Sequence, residues 1–433
     1  MSGRMVKRLS IAVMALALGL STGARADDGT YSGYSPYSAY GVGSLHNGHS
    51  WQNGMGGVGI ATRNKRFINV QNPASVTERD SLSFMADFAV AGQMSILREG
   101  DKKGYAPVFN IDNFVISFPL WKKTAFMVGL RPYSDIGYKV AHSYYADSNT
   151  GARTFASAGN GGLYELFAGG AVTLWNRLSL GAQYNYHFGN INKSASLSFD
   201  DASQHSVAAG DSILVHASTV KFGLQYEQPF SAKSSLVLGA TYKLAAPLRG
   251  NAVEYSYKNG TLTTREDKSL NKETGLFLGS EIGAGVSFRS ADRLAIEVDY
   301  SFKDWRKSGM DTMRGFSDNG EAGNFTASAG HGVRAGFEFT PSRNDIRYYL
   351  RRCTYRAGAY WEQSYYRVGG KSIDSAGITF GMTLPVFRGY NGVSIGLDLG
   401  QRGFGGATVK ERYFGFNLSM NVFDIWFQKP RYE

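Results

Sequence analysis

Beyond about residue 80 the chain alternates with period two, many times over, in stretches of ten residues or more. Leu178, Leu180, Ala182, Tyr184, Tyr186 and Phe188 share one side, while Ser179, Gly181, Gln183, Asn185, His187 and Gly189 share the other. Leu294, Ile296, Val298, Tyr300 and Phe302 alternate in the same way with Ala295, Glu297, Asp299 and Ser301. So do Val393, Ile395, Leu397 and Leu399 with Ser394, Gly396, Asp398 and Gly400. In a strand, successive side chains point to opposite faces, so each stretch reads as a strand with one apolar and one polar face. A soluble sandwich also alternates. Strands of about ten residues, however, have the length that crosses a bilayer when tilted. Their polar faces carry Gly, Gln and charges, which suits the inside of a barrel. No segment downstream of the N-terminus reaches the roughly 18 apolar residues of a transmembrane helix. Mean hydropathy is only −0.25, as expected when alternate residues alone meet lipid, and Pro is scarce at 10 against 54 Gly.

The N-terminus predicts export. Arg4, Lys7 and Arg8 precede a short apolar run at residues 11–20, and Ala24-Arg25-Ala26 is a small-x-small cleavage site. These are the three parts of a secretory signal peptide, which would occupy residues 1–26. The one cysteine, Cys353, allows no internal disulfide. The formal charge is +11, falling to about +7 once the signal's four basic residues leave. The positive charge is scattered. It predicts solvated loops touching lipopolysaccharide phosphates, not a nucleic-acid surface.

Fourteen strands are predicted, starting near residues 82, 108, 124, 162, 178, 213, 236, 275, 294, 332, 354, 373, 393 and 413. Short connections (119–123, 175–177, 229–234, 289–293, 385–391) alternate with long polar ones (97–107, 142–160, 258–271, 303–328). That is the sidedness of outer-membrane barrels, with short periplasmic turns and long outer loops. Trp121, Trp175, Trp305 and Trp361 are placed to form an interfacial girdle.

Residues 27–80 do not alternate. Tyr, Ser and Pro recur over 31–40, and Gly is frequent over 41–61. Trp51, Met55, Val58, Ile60, Phe67 and Ile68 need burial, and a fourteen-strand barrel leaves a hole. The expected organisation is therefore a signal peptide (1–26), a plug in the lumen (27–80), an all-β transmembrane antiparallel barrel (81–427) and a short tail (428–433).

Within this frame, Met55-Gly56-Gly57-Val58-Gly59-Ile60-Ala61, then Asn72-Pro73-Ala74, then Gly129-Leu130-Arg131-Pro132-Tyr133 in the third strand, resemble the FadL/TodX long-chain fatty acid transporters. The chain looks like a divergent branch. It does not end on the aromatic residue common to such barrels, since Phe427 is followed by Gln428-Lys429-Pro430-Arg431-Tyr432-Glu433. The resemblance implies a plug built on Gly56, Gly57, Gly59, Asn72, Pro73 and Ala74. It also implies a lateral gate where the third strand kinks, at Gly129, Pro132 and Gly137. A related branch of the same fold serves protein secretion and surface attachment.

Other motifs carry little. Gly54-x-Gly56-x-x-Gly59 lacks the strand and βαβ context of a dinucleotide fingerprint. No His/Glu pair has metal spacing, and no cofactor is expected. Inward-facing Glu297 and Asp299 could do acid–base work, but charges tying plug to wall explain them better. Arg131, Arg334 and Arg356 are the cations that would meet a ligand carboxylate or the plug. No enzyme is expected. The function expected is passive uptake of a hydrophobic, fatty-acid-like molecule by a monomeric barrel in the outer membrane, leaving sideways through the wall. The alternatives are a barrel subunit of a secretion or attachment system and an unplugged porin. Arginine at Leu180, Ile296 or Leu397 should damage the protein far more than at Gln183 or Ser394.

Overall fold

The computed structural model describes residues 35–38, 41–43, 48–80, 82–145, 152–200, 203–270, 275–310, 325–386, 391–404 and 409–425. The signal peptide and the C-terminal tail expected from the sequence lie outside them. Fourteen antiparallel strands close into one barrel: β1 Ser83–Glu99, β2 Lys102–Trp121, β3 Thr124–Tyr145, β4 Ala152–Leu174, β5 Leu178–Phe199, β6 Val207–Ser231, β7 Ser234–Lys243, β8 Ser280–Ser290, β9 Leu294–Asp304, β10 Ala329–Phe339, β11 Thr354–Val368, β12 Lys371–Pro385, β13 Gly392–Phe404 and β14 Lys410–Ile425. β1 pairs with β14 from Ser83↔Ile425 to Arg98↔Lys410, so the sheet closes on itself. Both ends of the sheet thus lie at one rim, called here the terminal end; the opposite rim is the loop end.

The alternation places the apolar set outside. Leu180, Tyr184, Ile296, Val298, Leu397 and Leu399 are exposed on the outer wall, whereas Ser179, Gln183, Asn185, Glu297 and Asp299 are buried inside. Most connections at the terminal end are tight. Lys123, Trp175, Asn176, Ala291 and Asp292 take positive φ there, the conformation that reverses a chain within a few residues.

Two expectations change. Residues 97–107 and 142–160 were expected to be loops, yet most of them continue the β1–β2 and β3–β4 ladders beyond the apolar band. Polar residues pair as well as apolar ones, and only the hydrophobic period fades outside lipid. The predicted loop at 258–271 is the far part of a hairpin, Arg249–Lys258 with Thr261–Leu270. Its first strand pairs with the upper part of β6. Trp121 and Trp175 are exposed at the terminal end and Trp361 lies on the outer wall, but Trp305 is buried inside, its ring 4.6 Å from that of Tyr365. It sits in an apolar cluster that includes Tyr37, Tyr133, Ile213, Leu248 and Tyr366 and fills part of the loop-end half of the lumen. An aromatic at a strand end serves a girdle or a core equally well; which one depends on the side it faces.

Candidate functional site

Residues 48–80 lie against the inner wall. Trp51, Met55, Val58, Ile60, Phe67 and Ile68 are all buried. Two apolar clusters hold five of them: Trp51, Met55, Val58 and Phe67 pack together, and Ile68, with Val70 and Val76, packs on Met85, Val115, Met127 and Phe167 of the wall. The backbone follows the wall's inward glycines. A Cβ on Gly358 would sit 2.2 Å from the Gly56 nitrogen, one on Gly239 2.2 Å from the Ile60 carbonyl oxygen, and one on Gly381 2.8 Å from the Gly54 Cα. The glycines on the polar face therefore mark where another backbone lies, not a wet surface.

The polar contacts are specific. Asp299 Oδ2 accepts from Gly59 N–H (2.7 Å) and Ile60 N–H (2.9 Å), and Glu297 Oε1 accepts from Ala61 N–H (3.0 Å). Thr62 Oγ1 donates to the second oxygen of Glu297. The Gly56 N–H, on a residue with φ of 70°, donates to Thr379 Oγ1 at 2.7 Å. Asn72 Oδ1 accepts from Ala74 N–H (3.0 Å), and its Nδ2 donates to the Ile60 carbonyl (2.7 Å). Pro73 opens the following 3-10 turn, Pro73–Thr77. Glu297 and Asp299 are thereby committed to the segment's backbone. Replacing Asp299 by Ala strands two buried N–H donors, so we expect a loss of about 2 kcal/mol. Proteolysis within residues 48–80 should begin at lower denaturant in Asp299→Ala. A wild-type proteolysis profile would show that this anchor is not needed.

The predicted cations are also occupied. Arg131 Nε donates to Glu165 Oε2 (2.5 Å), not to Glu297 or Asp299. Arg334 pairs with Glu362 (3.1 Å). Arg356 pairs with Glu338 (2.8 Å) and stacks over Phe67 (4.8 Å) and Trp51 (5.2 Å).

The wall itself is incomplete between β2 and β3. β2 and β3 pair from Trp121↔Thr124 to Phe114↔Leu130 and no further. Above that point, among the described strands, β2 pairs with β1 alone and β3 with β4 alone. Pro132, two residues past the last pair, has no N–H to offer, and the β3–β4 register shifts between Pro132 and Ser134. Farther along β3's free edge the chain's own N-terminal part supplies partners. Ser35 N–H donates to the Gly137 carbonyl (2.8 Å), and Gly137 N–H donates to Ser38 Oγ (3.0 Å). Gly129 lies below the break, inside the paired ladder. A Cβ there would meet Phe167 at 2.6 Å and the Phe114 carbonyl at 2.7 Å, so bulk at Gly129 would strain the wall and leave the opening unfilled.

A cavity backs the break. Ala91, Val108 and Pro132 give it apolar lining, and His49, Asn53, Asp112 and Arg402 give it polar lining. Asp112 accepts from Ser50 N–H (2.7 Å) and Asn417 Nδ2 (3.1 Å) and lies 3.3 Å from His49 Nδ1. A second, charged cavity meets the first at His49, Pro132 and Tyr133 and is lined by Arg131, Glu165, Lys221, Lys243 and Glu281. Sequence reasoning missed His49, Asp87, Asp112 and Glu165. A signal existed for Asp87, an acid in the otherwise apolar run of β1. The others are set by what lies opposite them.

Comparison with solved structures returns FadL/TodX-type barrels among its matches. A Pseudomonas aeruginosa FadL homologue superposes with a TM-score of 0.58 at 12% identity, covering 88% of this chain and 99% of its own. A monoaromatic hydrocarbon channel, CymD, gives 0.56 at 15%, covering 88% and 98%. The Ralstonia pickettii toluene transporter TbuX gives 0.56 at 14%, covering 87% and 98%. The fold is thus that of the FadL/TodX barrels, as the sequence resemblance implies. No curated protein sequence matches. The sequence model of one family, BamG, matches residues 5–433.

Proposed function

The chain belongs to the BamG family, and for this member we propose a passive, non-enzymatic conduit in the outer membrane that takes up a hydrophobic molecule, fatty-acid-like in kind. The carrying observation is the coincidence of the β2–β3 break with the apolar cavity behind it. In lipid every backbone polar group needs a partner, so a break in the ladder persists only where something else satisfies it or passes through it. Residues 35–80 act as the plug, which denies water and ions a straight path. An apolar ligand enters from the loop end, rests along Ala91, Val108 and Pro132, and leaves sideways between β2 and β3. Its polar head stays at the His49 and Asn53 side. Arg131, engaged by Glu165, is not the headgroup partner. Proteins of the same fold include a toluene transporter and a monoaromatic hydrocarbon channel, which supports hydrophobic small molecules as the class. In this reading the barrel works as a monomer, and basic loop-end residues meet lipopolysaccharide phosphates.

A second reading, a barrel subunit of a secretion or attachment assembly, is favoured by the apolar cluster that fills part of the loop-end lumen. The two part on one variant. Ala91→Trp fills the cavity without touching the plug's anchors. Uptake of a labelled long-chain fatty acid or of toluene should then fall to the level of cells lacking the protein, at matched surface amounts. Undiminished uptake of both would leave the subunit reading standing.

A further inference from the structure

One connection at the terminal end differs from the rest. β10 and β11 are joined by residues 340–353, much the longest there, with four arginines and one aspartate. The segment is built, not loose. Asp345 Oδ1 accepts from the N–H groups of Arg347 (2.9 Å) and Tyr348 (2.7 Å), and a 3-10 turn follows at Tyr349–Arg352. Two tethers fix where this turn lies. Tyr355 sits on the outer face of β11, paired with Phe339, because its neighbours Thr354 and Arg356 are buried inside. Its hydroxyl donates to the Leu350 carbonyl (3.0 Å), and the Tyr349 hydroxyl donates to the Pro385 carbonyl (2.9 Å). The turn is therefore held over the outer rim, beside the apolar wall.

What it displays there is unusual for a water-facing turn. Ile346 is 100% and Leu350 64% exposed. The arginines divide into two kinds. Arg343 pairs with Glu338 (3.8 Å) and Arg351 with Asp345 (3.5 Å). Arg347 and Arg352 make no ion pair among the described residues; they stack on Tyr348 (5.2 Å) and Tyr349 (4.9 Å). Trp121, Trp175 and Phe230, exposed by 74%, 81% and 65%, mark the same end of the barrel at other turns. Apolar tips beside two free guanidiniums match the boundary between acyl chains and headgroup phosphates. Guanidinium binds phosphate through paired N–H groups, and stacking on a tyrosine holds it ready to do so.

We propose that residues 340–353 form a binding site for anionic phospholipid of the adjoining leaflet, with Ile346 and Leu350 in the acyl region and Arg347 and Arg352 on the headgroup phosphate. The site rests on the membrane placement proposed above. It anchors the terminal end and fixes the barrel's depth.

The test uses the full chain with Cys353→Ser and single reporter cysteines, Ile346→Cys, Leu350→Cys or, as a control on the outer wall, Phe337→Cys. Each carries an environment-sensitive fluorophore in vesicles of phosphatidylethanolamine with or without phosphatidylglycerol. Labels at 346 and 350 should emit to the blue and be quenched by lipids spin-labelled near the headgroup. The 337 label should be quenched by deeper spin labels. Arg347→Gln and Arg352→Gln should each lower the phosphatidylglycerol retained per barrel, read by native mass spectrometry, by about fivefold. A water-exposed 350 label beside an embedded 337 label would overturn the lipid site and point to a protein partner instead. Unchanged phosphatidylglycerol retention in the double variant would overturn the role of the arginines. A water-exposed 337 label would overturn the membrane placement itself.

Discussion

Removal of residues 35–77 should yield a barrel that still closes and resists heat-dependent unfolding but conducts ions on the order of tenfold or more above wild type. The closing ladder does not depend on the segment, since β1 meets β14 directly from Ser83 to Arg98; only the bonds of Ser35 and Ser38 to Gly137 are lost from the wall. What the segment supplies is filling and partners. Without it Asp87 loses Ser50, and Glu297 and Asp299 lose the backbone of residues 59–61. In a dry lumen each stranded carboxylate would be costly. Here the space floods, so water takes over the hydrogen bonds and the loss of stability stays moderate. The same flooding creates the ion path. Planar-bilayer recordings at matched insertion would measure it. Conductance equal to wild type would mean that the loop-end cluster around Trp305, Tyr365 and Tyr366 seals the barrel alone.

Arginine at Ile296 or Leu397 should cost about 2–4 kcal/mol, because both side chains lie on the outer wall where a charge must cross into hydrocarbon. The inward positions are not the mild controls that alternation alone suggests. Gln183 is buried and donates to Asn185 (2.6 Å), and Ser394 is buried and 2.6 Å from Thr383 Oγ1. Arg at either would overpack a filled lumen. The two kinds of damage separate in the background that lacks residues 35–77. Gln183→Arg should there become nearly neutral, since the space around it opens to water, while Ile296→Arg should cost as much as before. Urea unfolding of barrels folded into vesicles would read both. Equal rescue of the two would show that Ile296 does not face lipid.

Much of this was legible in the chain because lipid imposes one strict rule on many residues. Outward positions must be apolar and inward ones need not be, so Leu180, Ile296 and Leu397 announce their side and fourteen strands can be counted. The six apolar residues between Trp51 and Ile68 stand out for the same reason, having no strand of their own to belong to. Strand ends were less legible, because pairing continues past residue 97 and past residue 142 where the apolar period has stopped.

The partners of the inward charges were not legible. Arg131 finds Glu165 across one ladder rung, and Asp299 finds backbone 240 and 239 residues away. Such pairs depend on register and on which stretch of chain lies opposite. Period-two alternation says nothing about either. Trp305 turned inward and Gly129 fell below the break for that same reason. Alternation along each strand, a local property repeated under one solvent constraint, determined the barrel. Tertiary structure alone decided where the β2–β3 ladder stops, what fills the lumen and which arginines stay free, because those follow from contacts between segments far apart in the chain.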